Sequence, residues 1–152
     1  MAARHGLHAT GTQLTNLDHV GVAVIDLDAA IEFYSASFGF EVVHEETNEV
    51  AGIREVMLAV GDSSVCIQLL AALKPESVIA KFLDRSGPGI QHLAFRVEDV
   101  VTAAQKMRDS GVRILYEEPV IGTAGSLINF AHPRDCGGVL IELVEVRKHA
   151  GT

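Results

Sequence analysis

Four polar residues lie inside apolar, strand-like segments of the sequence: His19, Gln68, His92 and Glu142. Burying a polar side chain without a partner costs roughly 1–3 kcal/mol, so each of them needs one. Any one alone would be interpreted as a structural or hydrogen-bonded residue. Together, two imidazoles, one carboxylate and one amide oxygen can bind a divalent metal ion and leave positions open for water or substrate. The four therefore predict one metal site.

Their spacing reflects an internal repeat that covers most of the chain. Residues 17–24 correspond to residues 90–97, and each segment has its histidine at the third position. Residues 65–70 correspond to residues 139–144, and these two segments carry the amide and the carboxylate. All four segments are short and rich in β-branched and apolar residues, which predicts buried strands.

Each copy of the repeat also contains one helix and two further strands. Asp26 and Asp99 are predicted to cap the helices, because a carboxylate accepts hydrogen bonds from the free N–H groups of a first turn. Gly39 and Gly111 are predicted to end them. The further strands are predicted at residues 41–44 and 54–60 in the first copy, and at 112–116 and 127–131 in the second.

The chain is therefore predicted to be an α+β protein made of two tandem βαβββ modules. One helix cannot cover both faces of a four-stranded sheet, so the modules are expected to lie side by side. They would form one curved eight-stranded mixed sheet, with the helices outside and the metal site in its concave face.

The module boundaries follow from the repeat. A helix with Pro75 in its first turn is predicted over residues 74–83, between the two modules. The predicted parts are a flexible leader at 1–15, a first module at 16–72, a linking helix and loop at 73–88, a second module at 89–146 and a tail at 147–152.

Composition excludes several classes of function. A formal net charge of −8 argues against nucleic-acid binding, which needs a basic surface. Apolar runs are far shorter than the roughly 20 residues of a membrane-spanning helix, so no membrane association is expected. Cys66 and Cys136 form no CxxC motif, and two free thiols favour a reducing cytoplasm.

Beyond this pattern, the sequence resembles the vicinal oxygen chelate superfamily of glyoxalases, bleomycin resistance proteins and extradiol dioxygenases. Within it, the resemblance is to the methylmalonyl-CoA epimerases and covers about residues 15–146. The stretches that carry it are residues 17–24, 32–34, 52–58, 116–119, 128–133 and 138–143. The combination of Ile-Asn-Phe-x-His-Pro with Gly-Val-Leu-Ile-Glu-Leu is its most specific part.

The resemblance implies a metal-dependent isomerase. Such an enzyme interconverts (2R)- and (2S)-methylmalonyl-CoA by removing and returning the proton at C2 through a metal-stabilised enolate. It implies that Glu55 is the catalytic base, and that Glu142 is both a metal ligand and the second acid/base. It further implies one divalent ion, with cobalt favoured over manganese, nickel or zinc, an acyl-CoA thioester substrate and a homodimer.

Alternatives remain open at this point. The chain could be an epimerase of a related thioester such as ethylmalonyl-CoA, a glyoxalase-like lyase, or a small-molecule-binding resistance protein. Glyoxalase I generally has Glu where Gln68 stands, and purely binding relatives usually lack the four ligands. From the residues alone, Glu55 is better interpreted as a solvent-facing strand glutamate that pairs with Arg54 or a neighbour. Residues 122–126 are interpreted as a flexible turn rather than a phosphate site.

Overall fold

The computed structural model of the chain describes residues 14–147. The predicted leader, apart from its last two residues, and most of the predicted tail lie outside them. Within the described range, no helix has the length and apolar character needed to cross a membrane. The helices are α1 (Leu27–Phe38), α2 (Val78–Ser86) and α3 (Val100–Asp109). The strands are β1 (Asn16–Ala23), β2 (Glu41–Asn48), β3 (Ile53–Ala59), β4 (Cys66–Ala72), β5 (Gly89–Arg96), β6 (Val120–Ile121), β7 (Leu127–Ala131) and β8 (Ile141–Glu145).

The strands form one eight-stranded sheet in the order β2-β3-β4-β1-β5-β8-β7-β6. The first four belong to one module and the last four to the other. β1 and β5 pair antiparallel and join the modules, while β1 with β4 and β5 with β8 are parallel pairs. The α+β fold with a curved, mixed sheet built from a repeat is therefore confirmed.

Equivalent residues of the two modules form the core beneath the helices. Leu69 is fully buried in a cluster with Leu27 of α1, and its equivalent Leu143 is fully buried in a cluster with Val100 of α3. Leu69 and Leu143 each follow a predicted ligand in the sequence. Because side chains alternate between the faces of a strand, the ligands point to the opposite face, away from α1 and α3.

The predicted N-caps and the predicted end of α1 are confirmed, whereas α3 ends with Ser110 as its C-cap, one residue before the predicted Gly111. The side chain of Asp26 accepts a hydrogen bond from the N–H of Ala29, at 3.0 Å. That of Asp99 accepts one from the N–H of Thr102, at 2.8 Å. Gly39 ends α1 with a φ of 70°, a conformation that glycine adopts without steric cost.

The strand predicted at residues 112–116 is wrong. In that stretch only Ile114 forms a β-bridge, to Ala131. Two backbone hydrogen bonds flank this bridge, from the N–H of Leu115 to Phe130 and from the N–H of His132 to Arg113. At Tyr116 the backbone pairing ends, because the side-chain amide of Asn129 accepts from the N–H of Tyr116 and donates to its carbonyl. The outer strand of this module is instead the short β6.

The linking helix exists, but it begins later than predicted. The side chain of Ser77 accepts from the N–H of Ala80, at 3.1 Å, so the helix starts at Val78. Pro75 precedes the cap and is not part of the first turn. The helix therefore starts directly after its serine N-cap. The serine side chain accepts a hydrogen bond from a free N–H group of the first turn, which a proline side chain cannot do.

Because Leu69 and Leu143 are equivalent and both fully buried, we expect Leu69→Ala and Leu143→Ala to destabilise the protein to a similar degree. Each should lower the free energy of unfolding by about 2–5 kcal/mol through lost burial and a residual cavity. Urea denaturation followed by circular dichroism measures this. Wild-type stability in either variant would contradict the assignment of these residues to the core.

Candidate metal centre

The strand register places the four predicted ligands in two rows across the middle of the sheet. Gly21 pairs with Gln68 on one side and with His92 on the other. In the adjacent row, Ala94 lies between His19 and Glu142. Each row therefore has a small residue at its centre and two polar residues at its ends. All four polar side chains are buried.

Three of these side chains form a tight cluster. The Nε2 atoms of His19 and His92 are 3.1 Å apart. One oxygen of Glu142, Oε2, lies 2.9 Å from Nε2 of His92 and 3.3 Å from Nε2 of His19. The ligand atoms of the three residues all lie within 4.8 Å of one another, a separation at which they could hold one ion.

Gln68 supplies a fourth donor. Its Oε1 is buried and has no hydrogen-bond partner among the described residues. Its Nε2 donates to Oε2 of Glu55 at 3.0 Å and to Oγ1 of Thr123 at 3.1 Å. Because a buried acceptor without a partner is costly, the free oxygen fits a role as a metal ligand. The donor set, two imidazole nitrogens and two oxygens, suits a divalent metal ion.

Gly21 is a site residue that the sequence analysis missed. A Cβ atom added there would overlap the imidazole ring of His92, so only glycine leaves room for that ring. A glycine in the middle of a buried strand was the available signal, because it often marks a close approach of another group.

Electrostatics link the cluster to its neighbours. Burial would lower the pKa of His19, but its hydrogen bonds to Asp18 and Glu142 outweigh burial and raise the pKa to about 9. Burial would raise the pKa of Glu142, but its hydrogen bonds to both histidines lower the pKa to about 2. These hydrogen bonds favour the protonated form of His19, and a metal ion bound at Nε2 would compete with that proton.

Glu55 lies beside this cluster and not within it. It is on β3, and its carboxylate accepts hydrogen bonds from Gln68 and from the hydroxyl of Thr123. Burial raises the pKa of Glu55 above its ordinary value, against the effect of the Thr123 hydrogen bond. The surface pair of Glu55 with Arg54 is not formed. Arg54 binds Glu45 and Asp28 instead.

Thr123 is the second site residue that the sequence analysis missed. It lies in a short turn of the second module, Thr123–Gly125, and reaches Glu55 of the first. The turn is anchored by the N–H of Ala124, which donates to Oε2 of Glu46 at 2.9 Å. The sequence of residues 122–126 carries no signal for this contact, because the contact joins residues that lie 68 positions apart.

Thr123, Glu55 and the predicted ligands apart from His19 line a cavity of about 240 Å³ on the concave face. The polar residues Glu55, Gln68, His92 and Glu142 meet at one part of its wall. Much of the remaining wall is apolar, from the side chains of Ile53, Leu70, Val78, Ile79, Leu115, Val120, Ile121, Ile128, Phe130 and Leu140. Apolar walls with a few convergent polar groups are typical of a small-molecule site.

Comparison with known proteins defines the class. The model of the Glyoxalase/Bleomycin resistance protein/Dioxygenase superfamily matches residues 18–130. The ethylmalonyl-CoA/methylmalonyl-CoA epimerase of Cereibacter sphaeroides is 36% identical over 132 residues, which span 86% of this chain and 97% of that protein.

Solved structures agree with this class. The methylmalonyl-CoA epimerase of Mycobacterium tuberculosis is 56% identical, with a TM-score of 0.86 over 90% of this chain and 91% of that one. A Streptomyces coelicolor methylmalonyl-CoA epimerase variant in complex with 2-nitronate-propionyl-CoA is 47% identical, with a TM-score of 0.86 over 90% and 100%. Within the superfamily, the chain belongs to the methylmalonyl-CoA epimerase family of isomerases.

Gly21→Ala tests the predicted ligand geometry. The added methyl group should displace the imidazole of His92 and weaken divalent-metal binding by about tenfold or more. Isothermal titration with cobalt(II) or zinc measures the affinity. Ala94→Gly is the control, because it changes the equivalent position of the other row without adding an atom. Unchanged affinity in Gly21→Ala would contradict a role for His92 as ligand.

Proposed function

We propose that this protein is a metal-dependent epimerase that interconverts (2R)- and (2S)-methylmalonyl-CoA by removing the proton at C2 and returning it to the opposite face. The observation that carries the proposal is the position of Glu55. It is a partly buried carboxylate that is hydrogen-bonded to Gln68, next to two histidines and a second carboxylate. The family to which the chain belongs supports the same reaction.

The proposed metal ligands are His19, Gln68, His92 and Glu142. A divalent ion bound there would polarise the thioester carbonyl and stabilise the charge that develops when C2 is deprotonated. Cobalt is the proposed ion, and manganese, nickel and zinc suit the same donors. Glu142 is the one carboxylate in this set, and the amide of Gln68 adds no charge, so the site would keep a net positive charge for an anionic substrate.

Glu55 is the proposed base for one face of the substrate. Its raised pKa keeps it a stronger base than an exposed carboxylate, once it is ionised. Thr123 and Gln68 both hydrogen-bond its carboxylate, which restrains its orientation toward the cavity. A base whose orientation is already restrained needs less reorganisation when the proton is transferred.

Glu142 is the proposed acid/base for the other face. Among the described residues, the acidic side chains that line the cavity are those of Glu46, Glu55 and Glu142. Glu142 is the carboxylate of these three that lies in the cluster with both histidines, although its low pKa makes it a weaker base than Glu55.

The proposal restricts the acyl group of the thioester substrate less than it restricts the type of reaction. The relative from Cereibacter sphaeroides is named for both ethylmalonyl-CoA and methylmalonyl-CoA. Apolar side chains such as Leu70 and Ile53 line the cavity together with Glu55. A thioester with a larger substituent at C2 is therefore an alternative substrate. Comparing the turnover of the two thioesters would separate these options.

Exchange in D2O tests the function directly. Incubating the cobalt-loaded protein with (2R)-methylmalonyl-CoA should place deuterium at C2 and form the (2S) epimer, as followed by NMR and chiral analysis. Glu55→Gln should keep metal binding but lose roughly 100-fold or more of the interconversion rate, since general acid–base catalysis contributes about 10²–10⁴. Full activity in Glu55→Gln would remove Glu55 from the mechanism.

Thr123 should influence the rate through Glu55. We expect Thr123→Val, which keeps the shape but lacks the hydroxyl, to lower the epimerisation rate by about tenfold, the loss of one hydrogen bond of roughly 1.4 kcal/mol. Thr123→Ser keeps the hydroxyl and should stay close to wild type. Steady-state kinetics on both variants would refute this role if valine and serine behaved alike.

We also propose that the protein works as a cytoplasmic homodimer. β2 is an eight-residue edge strand, and edge strands are common sites of association. Exposed apolar side chains lie near it, including Phe38 and Val43. Light scattering after gel filtration should give twice the chain mass of 16.2 kDa. A single-chain mass at micromolar concentration would exclude the dimer.

A further inference from the structure

The two predicted histidine ligands have different partners behind them. Nδ1 of His19 lies 2.7 Å from Oδ2 of Asp18, a carboxylate. Nδ1 of His92 hydrogen-bonds to Oε1 of Gln91, a neutral amide. Asp18 and Gln91 occupy equivalent positions of the repeat, so the modules support their histidines with groups of different charge.

The carboxylate behind His19 is itself held by the other module. Arg96, at the end of β5, donates to Oδ1 of Asp18 from Nε at 3.1 Å and from Nη2 at 2.6 Å. Oδ2 is therefore left to accept from His19. The side chain of Asp18 is 14% exposed and that of Arg96 is 43% exposed, so this pair forms the outer boundary of the site.

We propose that Arg96 is a positioning residue for the metal site, acting through Asp18 on His19. This inference rests on the proposed function, because it assumes that His19 binds the metal ion. The guanidinium fork fixes the Asp18 carboxylate, the carboxylate accepts the Nδ1–H of His19, and Nε2 is thereby kept free and directed at the ion. Each contact in this chain of three residues is a direct hydrogen bond.

Arg96 also carries a positive charge, which by itself would repel a cation. The guanidinium is nearly half exposed, so water and salt screen its effect on the ion. The hydrogen bonds to Asp18 are short-range and lie in a partly buried position, so the restraint on His19 should exceed the repulsion. Removing Arg96 is therefore expected to weaken metal binding and not to strengthen it.

A second arginine–aspartate pair provides a matched control. Arg113 donates to Oδ2 of Asp135 from Nε at 2.8 Å and to Oδ1 from Nη2 at 3.2 Å. Neither residue lines the cavity or contacts a predicted ligand. Arg113→Ala therefore removes a similar ion pair of the second module without touching the proposed chain of contacts.

The experiment is a cobalt(II) titration of the whole protein by calorimetry, together with the visible absorption spectrum of the cobalt-loaded form. Arg96→Ala should weaken cobalt(II) binding by about 10- to 100-fold and change the absorption bands, because the His19 ligand loses its orientation. Arg96→Lys should recover part of the affinity, since one ammonium can still reach Asp18. Arg113→Ala should match the wild type in both measurements.

The possible outcomes distinguish failure of this inference from failure of the proposed function. If the wild type binds one cobalt(II) and Arg96→Ala has the same affinity and spectrum, Arg96 has no positioning role and this inference fails alone. If Arg96→Ala and Arg113→Ala weaken binding equally, the effect is general destabilisation and the inference also fails. If the wild type binds no divalent metal at all, the proposed function fails, and this inference fails with it.

Discussion

The antiparallel pairing of β1 with β5 is the contact on which the rest of the site depends. It sets His92 opposite Gly21 and His19 opposite Ala94, so each imidazole extends over a small residue of the neighbouring strand. Each of these strands also pairs in parallel with the last long strand of its own module, which brings in Gln68 and Glu142. A shift of one residue in that register would turn the proposed ligands of the shifted strand toward the helices.

This arrangement buries several polar groups, and among the described residues each finds a hydrogen-bond partner except one oxygen. The two histidines share Glu142, and the amide nitrogen of Gln68 donates to Glu55 and Thr123. Oε1 of Gln68 has no hydrogen-bond partner among the described residues, so its burial has a cost in folding free energy. The proposed chemistry needs these polar side chains, which explains why an otherwise apolar sheet contains them in spite of the cost of burying them.

Neither module forms the site alone. The second module supplies the turn whose threonine reaches Glu55 of the first, and it also supplies Arg96, which holds Asp18. The first module supplies Glu46, which anchors that same turn through the N–H of Ala124. The repeat therefore produces approximate symmetry in the proposed ligands, and contacts between the modules produce the asymmetry that the proposed acid–base reaction on two faces requires.

The sequence by itself determined the repeat, the helix caps at Asp26 and Asp99 and the facing of the four polar strand residues. These depend on local spacing and on the alternation of side chains, which a strand or helix keeps in any fold. Only the tertiary structure decided that Thr123 meets Glu55 and that Arg96 meets Asp18. Such contacts join residues 68 and 78 positions apart, and no local pattern marks them. The strand predicted at residues 112–116 is wrong for a related reason, because the backbone of Tyr116 hydrogen-bonds to the side chain of Asn129, 13 positions away, and not to another backbone.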